Sequence, residues 1–316
     1  MNILITGGAG FIGANFIHYI LDKYPDYKIV NLDLLTYAGN LENVKAAEEN
    51  KNYKFIKGDI GDYHLVTKIV KANKIDMIVH FAAESHVDNS ISGPDPFITT
   101  NILGTHNLLK VAKENNNIRF HHVSTDEVFG SLGETGKFDE STPYDPRSPY
   151  SASKASSDHI IRAYFHTYGL PITISNCSNN YGPYQHKEKL IPLFISNLLE
   201  DKKVPLYGEG KNIRDWLFVT DHCQAIDLII HQGKIGETYL IGGDAEKTNL
   251  EITNLLINKL AKDESLIERV EDRLGHDYRY AIDFSKISKE LGWQPSVSFE
   301  EGIDKTIEWY KNNNDL

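Results

Sequence analysis

The chain has 316 residues, 41% of them hydrophobic, enough for one large or two ordinary domains with a buried core and no need of disulfide staples. Its formal charge of -11 excludes a general nucleic-acid surface, because phosphate backbones are held by basic stripes; an anionic ligand would need local basic residues. Two cysteines, Cys177 and Cys223, without paired spacing, suit a reducing compartment as buried thiols.

Met1 to Thr6 is a short apolar run, with no charged leader or apolar signal segment, and no later run approaches membrane-spanning length. The expectation is a cytoplasmic protein without membrane attachment. Gly7-Gly-Ala-Gly-Phe-Ile-Gly13 follows, and Ala14 to Lys23 places Phe16, Ile17, Ile20 and Leu21 at helical spacing, giving strand, glycine turn, helix. Glycines at 7, 10 and 13 permit a tight turn, close backbone approach to a pyrophosphate and close helix-strand packing, with the helix amino terminus facing the anion. A glycine triplet alone is weak, but a second strand, Lys28 to Leu32, ends at Asp33, about 20 residues beyond the loop. A carboxylate there accepts from an adenosine ribose and repels a 2'-phosphate, which favours NAD over NADP.

The rhythm repeats. Tyr53 to Ile60 reads as a strand, Tyr63 to Ala72 as a helix, Ile75 to Phe81 as a buried strand and Phe97 to Lys113 as an amphipathic helix. Asp59 and Ile60 would lie near the adenine. Phe81, Ala82, Ala83, Glu84 and Ser85 put small residues where a flat cofactor could pass, although Phe81 to Ala83 could equally be a packed strand end.

A fifth strand, Arg119 to Val123, delivers Ser124-Thr-Asp-Glu-Val-Phe-Gly130 to the carboxyl edge of the sheet, where ligands bind in open parallel sheets. Thr125, Asp126 and Glu127 therefore place a hydroxyl and two carboxylates at that edge. Ser148-Pro149-Tyr150 opens a helix to about Tyr168 on which Tyr150 and Lys154 share one face, so the ammonium can approach the phenol or a ribose beside it. Pro171 to Ser178 is the sixth strand.

Beyond Asn179-Asn-Tyr-Gly-Pro183 the pattern is less regular, with helices near Leu190 to Leu199, His222 to Ile230, Leu250 to Leu260 and Phe299 to Tyr310. The expected fold is α/β: a Rossmann-type doubly wound parallel sheet in residues 1–178, with parts of 212–245 returning to it, and a smaller interleaved α/β substrate-binding domain mainly in 179–316. Trp216 and Phe218 read as core. The thirteen histidines read as structural and no metal is expected, since His121 and His122 point to opposite faces of a strand and the rest lack ligand spacing.

Together these motifs resemble the extended short-chain dehydrogenase/reductase family of NAD-dependent sugar-nucleotide enzymes, in particular its dTDP-glucose 4,6-dehydratases, which begin deoxysugar and L-rhamnose pathways. The resemblance covers nearly the whole chain, through Thr6 to Gly13, Asp33 to Gly39, Ala82 to Asp88, Ser124 to Gly130, Tyr150 to Lys154, Asn179 to Tyr184, Arg214 to Leu217 and Gly275 to Asp277. The glycine loop and Tyr/Lys pair mark only the superfamily. Thr125-Asp126-Glu127 discriminates, because epimerases of this group typically carry small residues after the Ser/Thr. The chain departs from the family in Gln185-His-Lys-Glu188, which lacks a common proline, in Leu274, and in being shorter than many members.

The resemblance implies that Tyr150 takes the C4 hydroxyl proton as hydride passes to NAD, helped by Lys154 and Thr125. A free phenol has a pKa near 10, so work near pH 7 asks the site for about 4 kcal/mol of phenolate stabilisation. Glu127 would then remove the C5 proton and a protonated Asp126 would release the C6 hydroxyl as water, after which hydride returns to C6. The residues themselves support only an acid pair, one member ionised and one neutral; the individual roles are the family's. Implied cofactor contacts include Phe11, Ile12, Leu34, Leu35 and Thr36. Implied substrate contacts are Asn179, Lys189, Leu190, Pro205, Tyr207, Arg214, Asn249, Arg273 and His276, the two arginines suiting a diphosphate. Ser85, Thr100 and Asn180 are candidates by position, for cofactor or, at Ser85, also substrate, yet each could simply cap local backbone. The Phe97–Lys113 and Ser148–Tyr168 helices resemble those that pair across the family's homodimer. Other readings are a dehydratase of CDP-, UDP- or GDP-sugars, a 4-epimerase, a simple NAD dehydrogenase, or a non-catalytic NAD-binding sensor or scaffold.

Overall fold

The computed structural model of the chain describes residues 1–272 and 276–313. The chain runs β1 (Asn2–Thr6), α1 (Phe11–Lys23), β2 (Lys28–Asp33), β3 (Tyr53–Lys57), α2 (Tyr63–Asn73), β4 (Met77–His80), α3 (Val87–Ser92), α4 (Asp95–Phe97), α5 (Thr105–Glu114), β5 (Arg119–Thr125), α6 (Pro149–Tyr168) and β6 (Ile172–Cys177). It continues through β7 (Asn179–Tyr181), α7 (Leu190–Leu199), β8 (Val204–Tyr207), β9 (Ile213–Phe218), α8 (Val219–Gln232), β10 (Thr238–Ile241), β11 (Glu246–Thr248), α9 (Asn249–Lys259), β12 (Ile267–Val270), α10 (Ser285–Leu291) and α11 (Phe299–Asn312).

Seven strands form the main sheet in the order β10-β6-β5-β4-β1-β2-β3, every pairing parallel. The chain moves from β1 through β2 to β3, then crosses to β4 on the other side of β1. The order therefore reverses between β1 and β4, which leaves a crevice at their carboxyl ends. Burial on both faces explains why β1 is a continuous apolar run. Leu4 belongs to the cluster with Val66 of α2, Leu108 of α5 and Ile161 of α6, whereas Ile3 and Ile5 join Phe16 and Ile20 of α1 and Ile226 of α8. Each such side chain contributes about 1.5–3 kcal/mol on burial.

The expected Rossmann-type parallel sheet is thus present, with shifted edges. The third strand stops at Lys57, putting Asp59 and Ile60 in the following loop, while the fifth extends to Thr125, so that Asp126–Phe129 is a separate 3₁₀ turn. The helix expected from Phe97 starts at Asp95, and α4 and α5 are joined by a π-helical stretch, Ile98–Gly104. Such wide turns concentrate at functional sites.

Beyond β6, three strands pair as β11-β9-β7 and two as β12-β8. A further core lies here, built from Phe194 and Leu198 of α7, Leu256 of α9 and Ile303 and Ile307 of α11, with Trp216 and Phe218 buried in it. No helix among the described residues is long and apolar enough to cross a membrane, and they contain no cluster of three or more His, Cys, Asp or Glu able to hold a metal.

Candidate active site

Helix α6 starts where its sequence dictates. Ser148 and Ser151 form a reciprocal cap, with Ser151 N donating to Ser148 Oγ at 3.1 Å and Ser148 N to Ser151 Oγ at 3.0 Å, and Pro149 takes the first helical position. This fixes the register of Tyr150 and Lys154 against the end of β5. One cleft runs from the loop after β1, past these residues, to Lys189.

At one end, Gly7 adopts φ +73°, and a Cβ there would come within 2.6 Å of Ala82 Cα. A Cβ on Gly13 would run into the Gly7 carbonyl oxygen. At Gly10 it would meet only Gly7 O at 3.3 Å and Ala38 O at 4.0 Å, so the backbone there is open to the cleft at the start of α1. Asp33 ends β2, its Oδ2 accepting from Ala9 N at 2.9 Å and its Oδ1 from Leu35 N at 2.8 Å. Burial raises its carboxyl pKa against the pull of these two donors.

Gly7, Gly10, Phe11, Ile12, Gly13, Asp33, Leu34, Thr36, Asp59, Ile60, Phe81, Ala82, Ala83, Ser85, Thr100 and Asn180 all line the cleft. Leu35 does not. Its backbone turns to φ +57° to deliver its N–H to Asp33, so it acts through the main chain. Within the π-helical stretch Thr100 faces the cleft while Asn101 clamps the loop after β4: its Oδ1 accepts from Glu84 N at 2.9 Å, and its Nδ2 donates to Glu84 O at 3.0 Å and Ser153 Oγ at 2.8 Å.

Thr125, Asp126, Glu127, Tyr150 and Lys154 meet on the opposite wall. Asp126 is 2% exposed, and its carboxyl is held well above the usual range by burial, reinforced by Glu127 and Asp215 and opposed by Arg214. Thr125 Oγ1 donates to its Oδ1 at 3.3 Å, while Oδ2 has no hydrogen-bond partner among the described residues. A neutral carboxylic acid with one oxygen uncommitted suits proton donation into the cleft. The Tyr150 phenol is pushed up by burial and by Glu127, with the Thr125 hydroxyl pulling the other way. Burial lowers the Lys154 ammonium to about 8. Its Nζ donates to Val123 O at 2.9 Å and lies 3.2 Å from His122 Nε2. Cys177, also on the wall, is pushed up to about 12 by burial and stays a thiol.

The residues expected to bind substrate divide in two. Ser85, Asn179 and Lys189 line the cleft, and Lys189 Nζ donates to Ser85 O at 3.1 Å across it. Leu190, Pro205, Tyr207, Arg214, Asn249 and His276 do not line it. Leu190 begins α7 and packs on the adjoining core; Pro205 and Tyr207 lie on β8, with the Tyr207 ring edge-on to His276 at 6.3 Å. His276 Nδ1 is 2.6 Å from Asp272 Oδ1. Arg214 is buried, its guanidinium 4.2 Å from the Tyr280 ring centroid and donating to Asp277 O at 3.0 Å. Asn249 N donates to Asn212 O at 3.0 Å. Arg273 lies outside the described residues.

Other wall residues were not in the expected set: Ser124, Ser178, Gln185, His186 and Glu188. Glu84, noted in sequence but given no role, lines the cleft as well, its carboxyl raised by burial and by Glu188. Asp158, behind the wall, was missed too, although its position four residues after Lys154 on one helix face was a readable signal.

The pattern of the GDP-mannose 4,6 dehydratase family matches residues 4–306. A curated dTDP-glucose 4,6-dehydratase of Xanthomonas campestris pv. campestris (strain B100) is 52% identical, the match covering 98% of this chain and 93% of that protein. The crystal structure of dTDP-glucose 4,6-dehydratase from Bacillus anthracis str. Ames in complex with NAD superposes with a TM-score of 0.95 at 52% identity, over 100% of this chain and 98% of that one. The Streptomyces venezuelae dTDP-glucose 4,6-dehydratase, also with NAD bound, gives a TM-score of 0.97 at 49% identity over 100% and 98% of the two chains.

Proposed function

Because the chain belongs to the dTDP-glucose 4,6-dehydratase family, we propose that it is an NAD-dependent hydro-lyase converting dTDP-D-glucose to dTDP-4-keto-6-deoxy-D-glucose and water. The reading is carried by the meeting of the Gly7–Gly13 loop with Asp126, Glu127 and Tyr150 in one cleft. The residues present fit the dinucleotide. The open backbone at Gly10, at the head of α1, suits a pyrophosphate, and the buried Asp33 carboxylate suits a ribose. Held by the Gly7–Gly13 loop and Asp33, NAD would supply the reversible hydride chemistry that the oxidation at C4 and the reduction at C6 require.

The remaining work belongs to side chains. Tyr150 takes the C4 hydroxyl proton, the Thr125 hydroxyl beside it offsetting part of the cost of a buried phenolate, and Lys154 on the same wall contributes its positive charge to the site. With C4 a ketone, the C5 proton becomes acidic and Glu127 removes it. Asp126 donates its proton to the C6 oxygen, which departs as water, and as C6 regains hydride Glu127 returns the proton to C5. Lys189, on the cleft wall, favours an anionic substrate there, and the Arg214 charge reaches Asp126 from outside the cleft lining.

Purified protein incubated with dTDP-glucose is expected to yield a sugar nucleotide lighter by one water, followed by mass spectrometry, with no lasting NADH absorbance. Unchanged mass with altered stereochemistry would mean an epimerase, and accumulating NADH a simple dehydrogenase. If another nucleotide sugar loses water instead, the base assignment fails and the chemistry stands. Asp33→Asn is expected to weaken NAD binding about 10- to 100-fold, the worth of a charged hydrogen bond of about 1.5–3 kcal/mol, and to narrow the preference over NADP; calorimetric titration with both dinucleotides checks this.

Finer features belong to the same proposal: a sugar-nucleotide unit mainly in 179–316, a cytoplasmic role in deoxysugar synthesis of the L-rhamnose type, and a homodimer. The dimer is supported by exposed apolar side chains at Ile91, Ile98, Leu103 and Tyr168, on the helices around 87–114 and the end of α6.

A further inference from the structure

Asp158 sits one turn beyond Lys154 on α6 and is completely buried. Its Oδ2 accepts from Ser124 Oγ at 2.9 Å, Tyr144 OH at 2.8 Å and Asn176 Nδ2 at 3.2 Å. Burial raises its carboxyl, against the pull of Lys154 and of these three donors, which on a single oxygen favour the ionised form. Its Oδ1 lies 3.4 Å from His122 Nε2, and the same ring nitrogen lies 3.2 Å from Lys154 Nζ. One imidazole nitrogen thus lies close to both a buried cation and a buried anion, accepting from the first and only approaching the second, since Asp158 Oδ1, like His122 Nδ1, has no hydrogen-bond partner among the described residues.

We propose that Asp158, acting through His122, is a positioning residue that keeps Lys154 charged and anchored behind the cofactor cleft. The proposal rests on reading Tyr150 and Lys154 as the pair that serves C4 oxidation. A lysine this deep loses its charge by desolvation unless an anion opposes it, and the triple anchorage of Asp158 holds that anion at a fixed place.

The other groups facing the cluster do not supply the charge. On β4, His80 is neutral by burial, its Nδ1 2.7 Å from Thr6 Oγ1 and its Nε2 2.9 Å from Thr105 Oγ1. On β5, burial and the Lys154 charge hold His122 well below its usual range, and His121 turns to Thr173 and Ser175 on the other face. On β6, Cys177 is a thiol. Tyr150 on α6 is protonated at rest. Asp126 and Glu127 follow β5 on the Tyr150 side, and Arg162 reaches only the far side of the network, through Tyr144 OH at 3.2 Å.

The sign is definite. The pKa of Lys154 is depressed to about 8, so its ammonium is lost as pH rises through that value. Removing the Asp158 charge moves the loss to lower pH by about one unit. The test is an NMR titration of ¹³C-lysine-labelled, NAD-loaded protein, with the Lys154 resonance assigned by its disappearance in Lys154→Arg, beside the pH profile of kcat on dTDP-glucose. Asp158→Asn is expected to lower both the Lys154 midpoint and the alkaline limb of kcat by about one unit, and Asp158→Glu to restore both.

His122→Leu leaves Asp158 in place and is expected to shift the midpoint the same way. His122→Gln, whose amide can accept from Lys154 and donate to Asp158, is expected to retain it, so the pair decides the matter even if Asp158→Asn does not fold. An unmoved midpoint in the folded variants overturns the proposal, as does a uniform loss of kcat without a shifted limb. The midpoint needs no substrate, so an inert dTDP-glucose would undo the functional reading without touching this result.

Discussion

Tyr150→Phe is expected to cut turnover of dTDP-glucose about 10³-fold, the scale of losing a positioned acid-base group, with the fold and NAD affinity close to those of the parent chain. The substitution removes one oxygen and keeps the ring, which is buried and packed edge-on to Phe97 at 6.3 Å between centroids. On the proposed mechanism what disappears is the atom that takes the C4 proton, so the defect should fall on the first half-reaction. Single-turnover absorbance at the NADH band is the measurement: the parent should show a transient rise and the variant almost none. A variant that still reduced NAD at the parent rate would remove Tyr150 from the proton path.

Asp126→Asn and Glu127→Gln are each expected to lower net dehydration by about 10²- to 10⁴-fold, and they should be separable. Both leave Tyr150 and Lys154 untouched, so C4 oxidation continues and NADH persists where the parent shows only a transient. In deuterated buffer Asp126→Asn should still exchange the C5 hydrogen, because the base remains, while the C6 oxygen stays on the sugar. Glu127→Gln should block exchange and water loss together. The structure favours this division: Asp126 is the more buried acid, held protonated by desolvation and by its neighbour, and Glu127 is less enclosed. Exchange lost in Asp126→Asn and retained in Glu127→Gln would reverse the two roles.

The first half of the fold was readable because its signals are local. A strand, a glycine turn and an apolar helical stripe occupy consecutive residues, and Asp33 falls at a fixed distance behind them. The π-helical stretch at 98–104 was not readable, since one extra residue in a turn leaves the apolar spacing of Phe97, Leu108 and Leu109 almost unchanged. Strands β7 and β11 are three residues each, too short for alternation to register, and their partner β9 lies far along the chain. At the site, the wall of glycines, small residues and acids follows from strand ends. Leu35 acts by its backbone alone, which no side-chain pattern announces. Arg214 and Asn249 took their expected roles from family likeness, and their placement behind the cleft depends on packing between distant segments.

The route of the chain through its main sheet bears on how it could be re-engineered. After β6 the chain leaves to build β7, α7, β8 and β9, returns through α8 and β10 to add an edge strand beside β6, and leaves again. A fragment cut at residue 178 would forfeit α8, which covers Ile3 and Ile5, and would bare the β6 edge to self-association. If the sugar nucleotide is bound mainly by the unit beyond 178, as proposed, swapping specificity with a relative would take two grafts, roughly 179–217 and 242–313, introduced together so that each finds its counterpart, with the returning α8 and β10 retained from the host.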